Sequence, residues 1–230
     1  MAVKKKTELE QLINDVHSHQ INYHTREIYL HSSYADDTEA GVEFRMATTF
    51  IKNLHILCAQ NAELPIIVHM HSIGGSWTDG MAIFNAIRFA PNPVVIIAYA
   101  QAESMSGIIL QAADYRVMTT DCEFMLHYGS IALGGSALGA KSYMDLNERN
   151  SKRMLDIFAN RAKNGTFFKE RGYNEARIRA YLDRKMKDKA DWYLDSDKAV
   201  YYGLADGILG SENHDTIDIL RICEKYKGKL

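Results

Sequence analysis

Apolar residues along this chain follow two spacings, a helical period and short unbroken runs, and the two alternate. Leu9, Leu12, Ile13 and Val16 fall on one helical face, and Thr7 with Glu10 three residues on forms a capping box that predicts where the helix starts. Arg26 to His31 alternates as a short strand. Ala47, Phe50, Ile51, Leu54, Leu57 and Cys58 then recur at helical spacing, so a helix is expected over much of Thr38 to Asn61, with Pro65 ending it. Ile66 to Met70 reads as a buried strand. Ile83, Ala86, Ile87 and Ala90 form the stripe of another helix, which Pro91 stops.

The β-branched run Val94 to Ala98 predicts a second buried strand, followed by a helix over Ser104 to Ala113 and short strands near Tyr115 to Met118 and Glu123 to Leu126. This strand–helix–strand rhythm predicts an α/β fold with a largely parallel core sheet. Gly129 to Ala140 is a glycine-rich loop. Residues 142 to 190 are charged and helical in character, with a broken apolar stripe (Met154, Ile157, Phe158), and are expected to extend outside the main core. Ile219, Ile222, Cys223 and Tyr226 mark a final amphipathic helix within residues 211–230. One domain over residues 1–230 is expected, with a protruding handle over about residues 130–190.

Composition narrows the function classes. With 47% hydrophobic and 24% charged residues the chain reads as a globular domain, and a net charge of −2 argues against a nucleic-acid binder. Its one basic run, Lys4 to Lys6, reads as solvated. The three cysteines, Cys58, Cys122 and Cys223, sit far apart among apolar neighbours, which predicts buried thiols in a reducing compartment. No N-terminal run resembles a secretory signal, and the apolar run Val94 to Ala100 is too short to span a bilayer. The expectation is a cytosolic protein with no membrane and no nucleic-acid partner.

Candidate chemistry clusters between Ile66 and His127. Gly74 and Gly75 follow a strand and precede a helix, where glycines let backbone amides approach a substrate closely. Ser104 falls at a strand-to-helix junction, near the unpaired amides of a helix N-terminus; by itself it reads equally as a cap. Its surroundings are not the G-x-S-x-G elbow, since Ala102 and Ser106 occupy the flanking positions. His127 ends an apolar strand and has the side chain suited to a general base. Asp191 precedes Trp192 and Tyr193, which are expected to shield it against a histidine. His69 and His71 lie two apart without a third metal ligand, so no metal is expected. Gly134, Gly139 and Lys141 miss the register of a phosphate loop by one residue.

The run HMHSIGGSWTDGMAIFNAIRFAPNPVVIIAYAQAESMSGIILQAADYRVMTTDCEFMLHYG resembles the proteolytic subunit of the ATP-dependent Clp protease family, whose blocks read N-S-P-G-G-S, Q-A-A-S-M-G and M-I-H-Q-P. KADWYLDSDKAVYYGLADGIL is similar to that family's R-D-x-F-M-S-A-x-E-A-x-E-Y-G-L-I-D. The resemblance implies the α/β fold shared with crotonases, and Ser104 as nucleophile, His127 as base and Asp191 as orienting acid. It also implies Gly75 and Met105 as oxyanion-hole amides. It further implies a cytoplasmic homo-oligomeric ring, single or stacked in pairs, hydrolysing unfolded polypeptide delivered by an AAA+ unfoldase, without a cofactor. No Walker motif is present, so ATP use belongs to the partner.

Several positions depart from the family pattern. Ile73 replaces the loop proline, Glu103 replaces a small residue, and Tyr128–Gly129 replaces Gln–Pro. Ala190 stands where the family usually has an arginine that couples ring contacts to triad alignment, and the segment from His127 to Asp191 is longer than usual. Three rivals stand beside the peptidase reading: a crotonase-type acyl-CoA enzyme, a non-catalytic ring component or scaffold, and a phage-type accessory paralogue.

Overall fold

The computed structural model describes residues 7–30, 41–132 and 134–211. Helix α1 (Glu8–His19) starts where the capping box places it, with the Thr7 hydroxyl accepting from the Glu10 N–H and the Glu10 carboxylate accepting from the Thr7 N–H at 2.8 Å. None of its residues is buried, and Leu9 and Ile13 face solvent. Its cap, rather than its apolar stripe, defines this helix. Strands β1 (Ile21–Asn22) and β2 (Glu27–Leu30) follow, then α2 (Phe44–Gln60), β3 (Ile66–Ser72) and α3 (Trp77–Phe89). The Glu43 carboxylate caps α2 by accepting from the Arg45 and Met46 N–H groups, and the predicted stripe of Ala47, Phe50, Leu54 and Leu57 is buried.

The second half contains β4 (Val94–Glu103), α4 (Met105–Leu110), β5 (Tyr115–Thr119), β6 (Glu123–Leu126) and α5 (Ala137–Ala162). Then come α6 (Thr166–Glu170), α7 (Glu175–Lys189), β7 (Trp192–Leu194), α8 (Ser196–Tyr201) and β8 (Gly207–Leu209). Among the described residues the eight strands form one sheet in the order β1-β2-β3-β4-β5-β8, with β6 pairing β4 and β7 off that path. All pairings are parallel except β1–β2 and β6–β7, so the expected α/β class with a largely parallel sheet is what the chain adopts.

Strand β4 runs five residues beyond the predicted Ala98 because it has two successive partners. Val95 to Ala98 pair with β5, whereas Gln101 to Glu103 pair with Glu123 to Met125 of β6. A register shift between Met70 and Ser72 in β3 accompanies the change, and Ser72 pairs with Ala102. The sheet thus splays at the carboxyl end of β4, opening a crevice where ligands sit in open α/β sheets.

Helices cover one face of the sheet, where Leu54, Leu57, Ile83, Ile96, Ile109 and Phe158 join one core. The segment expected outside the core divides in two. The first half of α5 is largely exposed, whereas its apolar residues from Met154 to Ala162, with Phe168, Ile178, Leu182 and Met186, join the main core. On the opposite face Ile67, Val95, Ile97 and Val117 form a smaller cluster. The predicted helix near Ile219, Cys223, and the ends of two predicted elements (Thr38 and His31) lie outside the described residues. Strands β7 and β8 and helix α8 were not anticipated; three-residue strands carry too few positions for a period to be read. Among the described residues, no helix is long and apolar enough to cross a membrane.

Arg116, 3% exposed, ties β5 to the chain after α8. Its guanidinium donates to both Asp206 oxygens at 2.9 and 2.5 Å, to the Gln111 side-chain oxygen at 2.7 Å and to the Gly203 carbonyl at 2.9 Å. Removing Asp206 leaves a buried cation uncompensated, so Asp206→Ala is expected to cost about 3 kcal/mol in chemical denaturation. Cys122 is buried and Cys58 half-buried, both unpaired thiols. Burial first, then the charges of Glu123 and Glu103, push the Cys122 thiol from 9.0 up to about 12. The stability this thiol contributes is therefore whole below pH 9 and lost as pH rises through about 12. Native protein at pH 8 is expected to resist alkylation at Cys122 until it is unfolded, which mass mapping after iodoacetamide treatment checks.

Candidate functional site

The splay of β4 brings three strand ends together. Ser104 follows the last residue of β4, His127 follows the last residue of β6, and Asp191 precedes the first residue of β7. Leu126 lies opposite Trp192 in the antiparallel β6–β7 ladder, so the next residue outward on each strand is His127 on one side and Asp191 on the other. Ser104 is fixed to the same patch by its N–H, which donates to the Met125 carbonyl at 2.9 Å. Residues far apart in sequence are thus aligned by strand register.

The side chains follow. His127 Nδ1 is 2.8 Å from Asp191 Oδ1, and His127 Nε2 is 2.7 Å from Ser104 Oγ. An ionised carboxylate only accepts, so Asp191 makes Nδ1 the donor and leaves Nε2 to accept from the serine hydroxyl. Ser104 occupies the N-cap position of α4 but its side chain makes no cap bond. That excludes the plain capping role the sequence left open. Its backbone has φ 52° and ψ −120°, a sparsely populated region for a non-glycine residue, which turns the hydroxyl out of the strand-to-helix corner. Asp191 is not shielded as the sequence suggested. Strand alternation buries Trp192 but turns Tyr193 outward, and the Asp191 side chain is 53% exposed. Trp192 instead anchors this strand through edge-on ring contacts with Tyr181 and Tyr202.

The glycine loop crosses directly over the serine. A Cβ on Gly74, whose φ is +95°, would stand 2.7 Å from the Ser104 Cβ and 2.8 Å from the Met105 nitrogen, so only glycine fits there. Gly75 forms a parallel bridge with Val42 in which Val42 donates to Gly74 and accepts from Ser76. In such a bridge the polar groups of Gly75 itself turn away from Val42, and Gly75 lines the groove beside Ser104. Met105 opens α4, where first-turn amides lack an intrahelical acceptor. Gly75, Ser104 and Met105 thus all line one groove. Such an arrangement is suited to attack on a carbonyl and to holding the oxyanion that results.

The groove measures about 490 Å³. One wall is a face of α5 carrying Tyr143, Leu146, Asn147, Asn150, Ser151 and Met154, and Trp77, Ile108 and Gly129 complete it. The α5 residues recur at helical spacing, a signal present in the sequence but without a partner to point it at. His69 and His71 are not drawn into the groove: the His69 ring stacks on Tyr29 at 5.0 Å and its Nδ1 meets the Tyr99 hydroxyl at 2.8 Å. Among the described residues, no group of three or more His, Cys, Asp or Glu side chains is placed to hold a metal. The stretch from Gly134 to Ser142 runs from loop into α5, with Ser136 capping through the Gly139 N–H at 3.1 Å.

Comparison with known proteins points to one family. The family model for Clp protease matches residues 22–212. The chain is 31% identical over 179 residues to ATP-dependent Clp protease proteolytic subunit 2 of Pseudomonas aeruginosa, covering 77% of this chain and 81% of that protein. It is 27% identical over 172 residues to proteolytic subunit 3 of Rhodococcus jostii, covering 74% and 78%. It is also 27% identical over 175 residues to proteolytic subunit 1 of Chlamydia trachomatis serovar D, covering 74% and 82%.

The crossing of the glycine loop over Ser104 is testable through sterics alone. Gly74→Ala combines a left-handed φ with backbone overlap, and is expected to lower stability by about 2–3 kcal/mol in urea denaturation. An unchanged midpoint would mean that the loop does not sit over the serine.

Proposed function

The chain belongs to the Clp protease family and shares its fold, and from that premise we propose that it is a serine endopeptidase subunit of a ring-shaped Clp-type protease. The observation that carries the reading is the chain of two hydrogen bonds, 2.7 and 2.8 Å, from Ser104 through His127 to Asp191. In this reading the Ser104 Oγ attacks a peptide carbonyl carbon while His127 Nε2 takes its proton. Asp191 accepts from Nδ1–H, which holds the tautomer and stabilises the imidazolium as it forms. The carbonyl oxygen becomes an oxyanion that the Gly75 and Met105 amides receive. Collapse breaks the C–N bond, and His127 returns the proton to the leaving amine. Water then attacks the acyl-serine with His127 again as base, releasing the carboxylic acid and restoring Ser104.

The proposed substrate is unfolded polypeptide and the proposed assembly a cytosolic homo-oligomeric ring, single or stacked, served by an AAA+ unfoldase. Family membership supports these parts of the reading. A crotonase-type reading gives the Ser104–His127–Asp191 chain no task.

Fluorophosphonate labelling with intact-mass analysis tests this directly. One adduct is expected, mapping to Ser104 and absent after His127→Ala. Ser104→Ala is expected to fold normally and to lose peptide hydrolysis by a factor of about 10⁴–10⁶. Turnover retained in that variant would sink the assignment.

A further inference from the structure

The β6–β7 ladder ends at the Leu126–Trp192 pair, and the His127–Asp191 contact lies just beyond it. From there the two chains diverge. Gly129, with φ +77°, leads into the glycine-rich loop, and Ala190, with φ +59°, joins Asp191 to the end of α7. Strand ends with no pair beyond them open readily, so a half-exposed contact at such an end needs a further restraint.

One bond crosses that open end. The Tyr128 hydroxyl donates to the Asp183 carboxylate, tying the residue after His127 to the middle of α7. Asp183 is itself anchored, since its second oxygen accepts from Lys187 Nζ at 2.9 Å. One turn earlier, Arg179 pairs with Asp156 of α5 at 3.0 Å, fixing α7 to its neighbour. Burial works against the charge on Asp183, but the hydrogen bonds from Tyr128 and Lys187 and the charges of Lys187 and Arg179 outweigh it and hold the carboxyl below its usual range. Tyr128 lines the groove beside Ser104 and also a second cavity of about 470 Å³ between α5 and α7. The ring packs partly against the main core, and its hydroxyl bond adds the directed restraint that ties it to α7.

We propose that the Tyr128–Asp183 bond is a positioning strut for the catalytic histidine, closing the open end of the β6–β7 ladder so that His127 stays within reach of both Ser104 and Asp191. The proposal rests on the peptidase reading above. Tyr128 and Asp183 act through His127 and do not touch the reacting atoms. A displaced base lowers turnover far more than it weakens substrate binding, and this split separates a strut from a groove contact.

The test uses the full chain, a short fluorogenic peptide, fluorophosphonate labelling of Ser104, and amide hydrogen exchange read by mass spectrometry. Tyr128→Phe keeps the ring and the cavity wall and removes only the donor. It is expected to lower kcat and the labelling rate by roughly tenfold or more while KM stays within about twofold. Exchange over residues 124–128 is expected to quicken while that of β3 is unchanged. Asp183→Ala is expected to match it, with no further loss in the double variant, because both remove one bond. Asp183→Asn still offers a carbonyl oxygen and is expected to retain activity within about threefold of the parent. Parent-like kcat, labelling and exchange in Tyr128→Phe would overturn the proposal, and so would full loss in Asp183→Asn. Failure of the underlying reading looks different: Ser104 is then unlabelled in the parent chain as well.

Discussion

The change of partner along β4 is the constraint on which the site depends. A strand paired throughout with β5 would carry Ser104 to the edge of a regular parallel sheet, well away from β6. Because Gln101 to Glu103 instead pair with β6, the serine leaves its strand beside the strand that delivers His127, and β7 then adds Asp191 by antiparallel register. A one-residue slip in either pairing would send these side chains to opposite faces. The hydrophobic core enforces the register, since Phe124, Leu126, Trp192 and Leu194 are buried on the inward face of the β6–β7 pair.

Strain is concentrated at the same place. Four described non-glycine residues have positive φ, and two of them are Ser104 and Ala190, the residue before Asp191. Such conformations each cost about 1–3 kcal/mol and persist only where surrounding contacts over-determine them. At Ser104 the over-determination comes from the backbone bond to Met125, the buried contact between the Ser106 and Ser72 hydroxyls at 2.7 Å, and the glycine loop above. At Ala190 it comes from α7 on one side and the aromatic contacts of Trp192 on the other.

What the sequence made legible was local or punctuated. Pro65, Pro91 and the Thr7–Glu10 box marked element ends, and the apolar runs of β3, β5 and β6 gave strands close to their observed bounds. Ser104, His127 and Asp191 were readable as chemistry only through their order within a family pattern, because each alone has an ordinary structural role. The second half of β4 was hidden because Tyr99, Gln101 and Glu103 interrupt its apolar run, and those polar positions are tolerated only where the strand crosses to β6. The core contribution of α5 was legible only in part, as the broken stripe of Met154, Ile157 and Phe158. That stripe sits in a charged helix, and only the tertiary fold shows that Met154, Leu155 and Phe158 are buried while Tyr143 and Asn147 are left for the groove.

The absence of G-x-S-x-G around Ser104 follows from the same geometry. A serine on a sharp strand-to-helix turn needs small neighbours, because the returning helix and the strand crowd positions two residues to either side. Here those positions are Ala102 and Ser106, both buried, and Ser106 satisfies its hydroxyl on Ser72 rather than leaving it unpaired. The requirement for glycine moves to the crossing loop, where the Gly74 Cα faces Ser104 at a separation no Cβ can occupy. A strict glycine therefore appears 30 positions upstream of the serine instead of beside it. The steric rule is that of the elbow, but its residues are supplied by a second segment of chain. That segment also brings Gly75 to the wall of the groove, so the loop that makes room for Ser104 helps to shape the space in front of it.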